Sequence, residues 1–374
     1  MKHNYRIPIF KLEFSKQFRQ DFHQGCEQIF NSDALSNGNY VHKFEAGFNK
    51  FIGTSYSIAV YSGTSALEIG LRALEVENKE VIVPTNTFTA SAIAVERAGG
   101  KLVLADIEAD TFSLAPAELE HRISKKTGAV MIVHIGGIIS KYIGDLLAIC
   151  KKHNVPLIED AAHAHGSVRG NYKAGTIGVI GCFSFFPTKA MTTGEGGIVT
   201  TQSKHLADKL ISLRNFGRDP KNSHAIITPG GTNHKMTEFQ ALLGCLELTR
   251  VKKRMQKRTK LAHLYQKLLD IKGYEPVRNV GDICSYYKQI VKTDLPQKKL
   301  HEFCKSHGIS LTGEVYHILV HEQPIYRKQF SSEKFPVAEK FARSHICPPV
   351  YPELTLNEVT YVCSVLKDAR KKTQ

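Results

Sequence analysis

The sequence predicts an α/β fold: a large domain built on a mostly parallel sheet covered by helices on both faces, followed by a smaller α+β C-terminal domain. Three observations carry this. Apolar runs of strand length alternate with segments of helical period from residue 57 to residue 160, which calls for parallel strands with helical crossovers. The runs themselves, such as Val81-Ile-Val-Pro84 and Ala129-Val-Met-Ile-Val-His134, are short and nearly uninterrupted in hydrophobicity, as buried strands are. Beyond a long helical pattern the chain then carries a strand near Tyr286 to Val291 and a helix at Pro296 to His307, enough for a second, smaller unit. The division expected is 1-246 for an N-terminal arm with the large domain and 247-374 for the small one.

Taken in order, residues 11 to 52 read as helices separated at Asn37-Gly-Asn39, with Phe44, Phe48 and Phe51 on one face, a segment placed to touch both domains. Ser57 to Tyr61 is a strand, Ser62-Gly63-Thr64 a turn, and the helix behind it presents Leu67, Gly70, Leu71 and Leu74 to the core. Strand, glycine turn and helix start together make an anion site, because free N–H groups and the helix dipole face the ligand; Thr64 also serves as an N-cap there. Val81 to Pro84 follows as a buried strand, with Phe88 beyond its end, either a core residue or a platform for a flat ring. Lys101 to Asp106, a helix from Pro116, Ala129 to His134 and a helix from Asp145 to His153 continue the alternation. Ser331 to Lys334 reads as a surface loop and Lys367 to Gln374 as a frayed tail.

Two groups stand out chemically. Val155-Pro-Leu-Ile-Glu-Asp160 is an apolar strand ending in a carboxylate, and carboxyl ends of parallel strands face the ligand crevice. After one further strand, with Phe183, Ser184, Phe185 and Phe186, comes Lys189 in a loop of small residues. A lysine at the mouth of a core can lose its proton near neutral pH and attack an aldehyde or ketone. His163, close behind Asp160, is either a satisfied loop histidine or part of the same site; His165 reads as structural. Ser184 either faces a ligand or bonds back to its own sheet.

Composition narrows the class. A content of 42% hydrophobic and 23% charged residues is that of a globular protein. No basic-flanked apolar leader opens the chain and no apolar run is long enough for a bilayer, so a cytoplasmic protein without membrane contact is expected. The eight cysteines form no C-x-x-C pair and sit among apolar neighbours, which suggests reduced thiols and no metal site. A net charge of +15 invites a nucleic-acid reading. The densest basic run, Lys252 to Lys260, lies on a helical pattern with apolar Leu248, Val251, Met255, Ala262 and Leu269, so it reads as a solvated helix face and no nucleic-acid partner is expected.

The motifs Ser62-Gly-Thr-Ser-Ala-Leu67, Glu80-Val-Ile-Val-Pro-Thr-Asn-Thr-Phe-Thr-Ala90, Glu159-Asp-Ala-Ala-His-Ala-His-Gly166, Phe183-Ser-Phe-Phe-Pro-Thr-Lys189, Gly194-Glu-Gly-Gly197, Arg214-Asn-Phe-Gly-Arg218 and Asn233-His-Lys-Met-Thr-Glu-Phe-Gln-Ala241, together with Phe335-Pro-Val-Ala-Glu339 and Tyr351-Pro-Glu-Leu354, span most of the chain. In that order they resemble the DegT/DnrJ/StrS family of aminotransferases that depend on pyridoxal 5'-phosphate (PLP). The resemblance implies the aspartate-aminotransferase-like fold (fold type I) and assigns roles residue by residue. Lys189 binds the cofactor's aldehyde and shuttles the substrate proton; Asp160 keeps the ring nitrogen charged; Gly63, Thr64 and Ser184 take the phosphate. Phe88 stacks on the ring, His163 approaches its hydroxyl, and Asn233 reaches the phosphate of a neighbouring subunit, which makes a homodimer with shared sites. Tyr316, His317 and His321 fall where acceptor contacts occur. Phe216 stands where a histidine is usual and Lys235 where arginine is more frequent. The activity implied is transfer of an amino group from glutamate or glutamine to a nucleotide-linked keto sugar. Alternatives are a keto-cyclitol acceptor, a PLP-dependent sugar dehydratase, which the intact Lys189 opposes, and a non-catalytic regulator.

Overall fold

The computed structural model of the protein describes residues 5–222, 224–279 and 283–373. Helices α1 (Lys16–Phe30) and α2 (Asn39–Ile52) open the chain. Ser15 starts α1 by accepting the Phe18 N–H, and Gly53, at φ 79°, ends α2 in the left-handed conformation that glycine tolerates. Val41, Phe44, Phe48 and Ile52 form the buried stripe of α2.

The α/β body follows as β1 (Tyr56–Val60), α3 (Gly63–Ala73), β2 (Glu80–Pro84), α4 (Ala90–Arg97), β3 (Lys101–Ala105), α5 (Pro116–Arg122), β4 (Thr127–Val133), α6 (Ile143–Lys152) and β5 (Leu157–Asp160). A short hairpin that the hydrophobic pattern does not announce, β6 (Val168–Arg169) with β7 (Tyr172–Lys173), precedes β8 (Ile180–Ser184) and β9 (Gly197–Thr201). A seven-stranded sheet runs in the order β1-β9-β8-β5-β4-β2-β3. Only β9 opposes the others: it pairs antiparallel with β1 and β8, while the remaining pairings are parallel. The carboxyl ends of β1, β2, β5 and β8 therefore open on one edge, which is where a doubly covered sheet places its ligands. Alternation sends Val81, Val83 and Met131 into the core on one face and Ile82, Val130 and Ile132 into the core on the other.

Helix α7 (Lys204–Arg214) leads to α8 (Glu238–Leu268), which starts in a capping box between Thr237 and Gln240. Residue 247, where the second unit was expected to begin, lies inside α8. Beyond it come β10 (Glu275–Pro276), β11 (Val291–Lys292), α9 (Gln297–Ser306), α10 (Pro336–Arg343), β12 (His345–Ile346) and α11 (Leu356–Thr373). The three strands form an antiparallel sheet, and a core of Leu261, Tyr265, Leu300, Cys304, Val359 and Leu366 sits beside it.

Four local expectations are corrected. Tyr286 to Val291 is not a strand up to Val291: Tyr286 has φ 43°, and Ser285 is committed instead to Ser167 and the His163 carbonyl. The expected frayed tail is helix as far as it is described: α11 runs to Thr373 with Val362, Val365, Leu366 and Ala369 buried against the core, and Gln374 lies outside the described residues. Phe186 leaves the core at 44% exposure, since β8 ends two residues earlier. In the basic run, Lys252, Lys253, Lys257 and Lys260 do face solvent, but Arg258 is buried. Among the described residues the cysteines are free thiols, no helix is long and apolar enough to cross a membrane, and no cluster of acids, histidines and cysteines could hold a metal ion.

Candidate active site

A cavity of about 390 Å³ opens at the edge where these strands end, and Gly63, Thr64, Phe88, Asp160, His163, Ser184, Lys189 and Tyr316 all line it. Parallel pairing gathers all but one of them, each following or closing a strand whose carboxyl end points the same way; Tyr316 comes in from the C-terminal unit, beyond α9.

Asp160, the last residue of β5, is buried at 6% exposure. Its carboxylate is held on both oxygens. Oδ1 accepts the Ala162 N–H at 3.1 Å, and Oδ2 accepts the Ser91 hydroxyl at 2.8 Å. Ser91 has spent its proton on Asp160, so the Thr87 hydroxyl, 2.8 Å away, donates to Ser91 in turn. No cation pairs with this carboxylate among the described residues, which leaves a buried negative charge facing a cavity, suited to a cationic partner. Next to it on β5, Glu159 accepts from His134 Nε2 and from the N–H groups of Gly175, Ile177 and Gly178, fixing the loop that feeds β8.

Lys189 is half-buried, carried by the turn after β8 in which its N–H donates to the Phe186 carbonyl. Its Nζ lies 4.6 Å from the centroid of the Tyr287 ring. Burial pushes the Tyr287 phenol up, but the ammonium groups of Lys189 and Lys288 and the Thr188 hydroxyl outweigh it and bring it down to about 8. His163 stacks on the same ring at 4.1 Å. Gly136 donates its N–H to His163 Nδ1, so Nε2 carries the ring proton and donates to the Tyr316 hydroxyl at 3.2 Å. Burial, then the charge of Lys189, push His163 well below the ordinary histidine range and keep it neutral.

The third part is an anion cradle. Ser62, not Thr64, is the N-cap of α3: its hydroxyl accepts the Ser65 N–H at 3.1 Å, and the helix begins at Gly63. Thr64 is thus free to face the cavity. A Cβ on Gly63 would sit 2.6 Å from Ser184 Cβ, and one on Gly197 2.2 Å from the Ser62 carbonyl oxygen, so two glycines let α3, β8 and β9 converge.

The other expected residues divide. Phe88 is 60% exposed, which rules out the core reading, and lies 6.0 Å from the Tyr316 ring at the cavity mouth. Tyr316 is in the cavity, but His317 and His321 line a separate groove with Glu322, Arg327 and Arg343. His321 is held there by the Thr85 hydroxyl at 2.7 Å. Asn233 is exposed and absent from the cavity wall of its own chain. His165 packs between Phe183 and Phe185, and burial pushes it down to about 3, a structural residue as expected. Sequence reasoning missed Ser91, Thr87 and Tyr287.

A sequence model of the DegT/DnrJ/EryC1/StrS aminotransferase family matches residues 16–367. Among curated relatives, a GDP-perosamine synthase of Escherichia coli O157:H7 is 31% identical, the alignment covering 97% of this chain and 98% of that one. A UDP-N-acetyl-3-dehydro-alpha-D-glucosamine 3-aminotransferase of Acidithiobacillus ferrooxidans is 30% identical over 98% and 99% of the two chains. In fold, the chain is similar to Helicobacter pylori PseC, an aminotransferase involved in pseudaminic acid biosynthesis, with a TM-score of 0.88 at 24% identity over 99% of this chain and 100% of that one.

Proposed function

Because the chain belongs to the DegT/DnrJ/EryC1/StrS aminotransferase family, we propose that its cavity transfers an amino group from L-glutamate or glutamine to a keto sugar carried on a nucleotide, in the biosynthesis of amino sugars for polysaccharides. The protein is a PLP-dependent aminotransferase. Both curated relatives described above bear names of enzymes that act on nucleotide-linked sugars, which supports that acceptor class. Soluble substrates of this kind suit a cytoplasmic enzyme.

The observation that carries the reading is one cavity holding a lysine amine and a buried carboxylate with no cation partner among the described residues, with a helix N-terminus and a serine converging beside them. These groups fit PLP at each of its ends. Bound there, the cofactor supplies an aldehyde and a cationic ring that withdraws electrons from the substrate carbon. Asp160 accepts the ring N–H, held in line by Ser91 and the Ala162 N–H. Gly63, Thr64 and Ser184 receive the phosphate through hydrogen bonds to an anion at a helix start. Phe88 covers the ring face. His163, neutral and oriented by Gly136 and Tyr316, stands at the ring hydroxyl. Lys189 is the amine that would hold the aldehyde, and as a free amine it would move the proton at the donor carbon. Asn233 is assigned to the phosphate of a neighbouring copy, in a homodimer that shares its sites.

Lys189→Ala is the test. It should lose both the visible absorbance of the bound cofactor and amino transfer to a panel of 3-keto and 4-keto sugar nucleotides and scyllo-inosose. A variant that still transaminated would overturn the assignment. Equal mixing of Lys189→Ala and Asn233→Ala chains should recover about a quarter of the wild-type rate, since half of the dimers would then hold one intact site. No recovery, with dimers confirmed, would remove the shared site.

A further inference from the structure

A second cavity, of about 290 Å³, adjoins the first and shares with it the wall formed by Thr188, Tyr287 and Tyr316. Its charged lining is Arg258, Lys288 and Glu314. Arg258 reaches it from α8 and is 4% exposed. Its Nη1 donates to the carbonyls of Val350 at 2.7 Å and Tyr286 at 3.2 Å, and its Nε is buried with no hydrogen-bond partner. The acid nearby, Glu353, is taken by Arg254 at 2.6 Å. Lys288 Nζ lies 5.1 Å from the Tyr287 centroid and so close to Gly313 that a Cβ there would sit 2.7 Å from it. Neither cation has a carboxylate partner among the described residues. Glu314 is already paired with His301; burial pushes its carboxyl up, but the His301 contact, a backbone N–H and the neighbouring histidines together hold it below the usual range. The chamber thus sets two cations without a carboxylate partner among the described residues, one of them buried, against one carboxylate already engaged by His301. A buried guanidinium whose hydrogen-bond partners are neutral carbonyls keeps its charge uncompensated, so such a pocket suits an anion.

We infer that this chamber is the carboxylate subsite of the amino donor, with Lys288 as its principal contact and Arg258 as the buried charge behind it. The inference rests on the aminotransferase reading above. The geometry points to the donor because the same ring carries both ends: Lys189 Nζ is 4.6 Å and Lys288 Nζ 5.1 Å from the Tyr287 centroid, which puts the two amines within about 10 Å of each other. A donor must bring its own amine to the place Lys189 serves. Glutamate spans roughly 5 Å from amine to distal carboxylate, and one hydrogen bond of about 2.8 Å completes the reach to Lys288. The α-carboxylate reaches the same chamber with the chain turned the other way, so the shared chemistry is a donor carboxylate.

The holoenzyme provides the test, read by bleaching of its visible band on rapid mixing with amino acid. If neither glutamate nor glutamine bleaches the wild type, the aminotransferase reading itself falls, whatever Lys288 does. Given bleaching, Lys288→Met should raise half-saturating glutamate about 10- to 100-fold, the loss of one charge-assisted hydrogen bond, and should do so by more than it lowers the limiting rate. Lys288→Arg should recover part of this. Calorimetric titration with glutarate, a dicarboxylate with no amine to transfer, should weaken by a similar factor. A rise shared by glutamine assigns the α-carboxylate to the chamber; a rise confined to glutamate assigns the distal one. Unchanged half-saturation and glutarate affinity would overturn the subsite, as would a loss of PLP affinity in step with the loss for glutamate.

Discussion

Gly63→Ala tests the anion cradle by space alone. Gly63 does not lie in the left-handed region, so what excludes a side chain is the neighbour: an added Cβ would meet Ser184 Cβ at 2.6 Å, Oγ at 3.1 Å and Cα at 3.2 Å. Rotating the serine moves only Oγ. The two carbons are fixed to β8, and carbon pairs settle near 3.5–4.0 Å, so α3 and the end of β8 must part by about 1 Å. Overpacking of this kind costs about 1–3 kcal/mol of stability. It also separates the two halves of the cradle, the Gly63 and Thr64 N–H groups on one side and the Ser184 hydroxyl on the other. Losing one hydrogen bond to a charged oxygen is worth about 1.5–3 kcal/mol, which is roughly 10- to 100-fold in affinity. Titrating apoenzyme with PLP and following the visible band should therefore show Kd raised by that factor, and the apoenzyme should melt at a lower temperature. Gly144→Ala on α6 is the control: the nearest atom to its Cβ is the Tyr172 hydroxyl at 3.5 Å, an ordinary contact, and PLP affinity should stay at the wild-type value. Wild-type PLP affinity in Gly63→Ala would refute the placing of the phosphate between α3 and Ser184.

Two further predictions concern protons. In the apoenzyme an ultraviolet difference titration should show one tyrosine ionising near pH 8, which is Tyr287 beside Lys189 and Lys288. The step should vanish in Tyr287→Phe and move up when PLP takes the Lys189 amine, and its persistence in the variant would reject the attribution. His345 accepts the Val315 N–H on Nε2 at 3.1 Å and donates Nδ1–H to the Phe341 carbonyl at 2.7 Å, and burial, the largest influence, pushes it down to about 4. Below an unfolded value of 6.5 the unfolded chain takes a proton that the folded one refuses until about pH 4. The contribution of His345 is thus full above 6.5 and is lost as pH falls through that window, by up to about 1.4 kcal/mol per pH unit. Urea midpoints at pH 7, 6 and 5 should fall less steeply in His345→Gln than in the wild type; parallel slopes would contradict this.

Groups that sit beside the pattern that positions them were legible in the chain. Asp160 closes an apolar run, Phe88 and Lys189 lie a few residues past one, and the parallel sheet then brings strand ends together without further information. Groups placed by distant partners were not. Ser91 looks like any small residue on a helix until Asp160, 69 positions later, accepts its proton. Tyr316 meets His163 across 153 positions. Ser62 and Thr64 can both cap a helix, and only the start of α3 at Gly63 decides between them. Arg258 did carry a signal. It falls three residues after Met255 and four before Ala262, on the buried stripe, but its basic neighbours made it look like part of the solvated face.

Tyr287 turns these parts into one site. Its ring faces Lys189 and Lys288, stacks on His163, and its hydroxyl is 3.0 Å from that of Thr188. Four groups that respond to charge therefore share one surface, and a change on any of them is felt by the rest at close range, where little water screens it. The charge of Lys189 lowers the Tyr287 phenol and, after burial, helps to keep His163 neutral; with Lys189 committed to the proposed cofactor, Lys288 would be the free amine left over the ring. On the proposed subsite, the pull on an incoming carboxylate would then come from the adjoining chamber. On the proposed subsite, placing one aromatic wall between two lysines predicts that cofactor loading precedes productive capture of the donor.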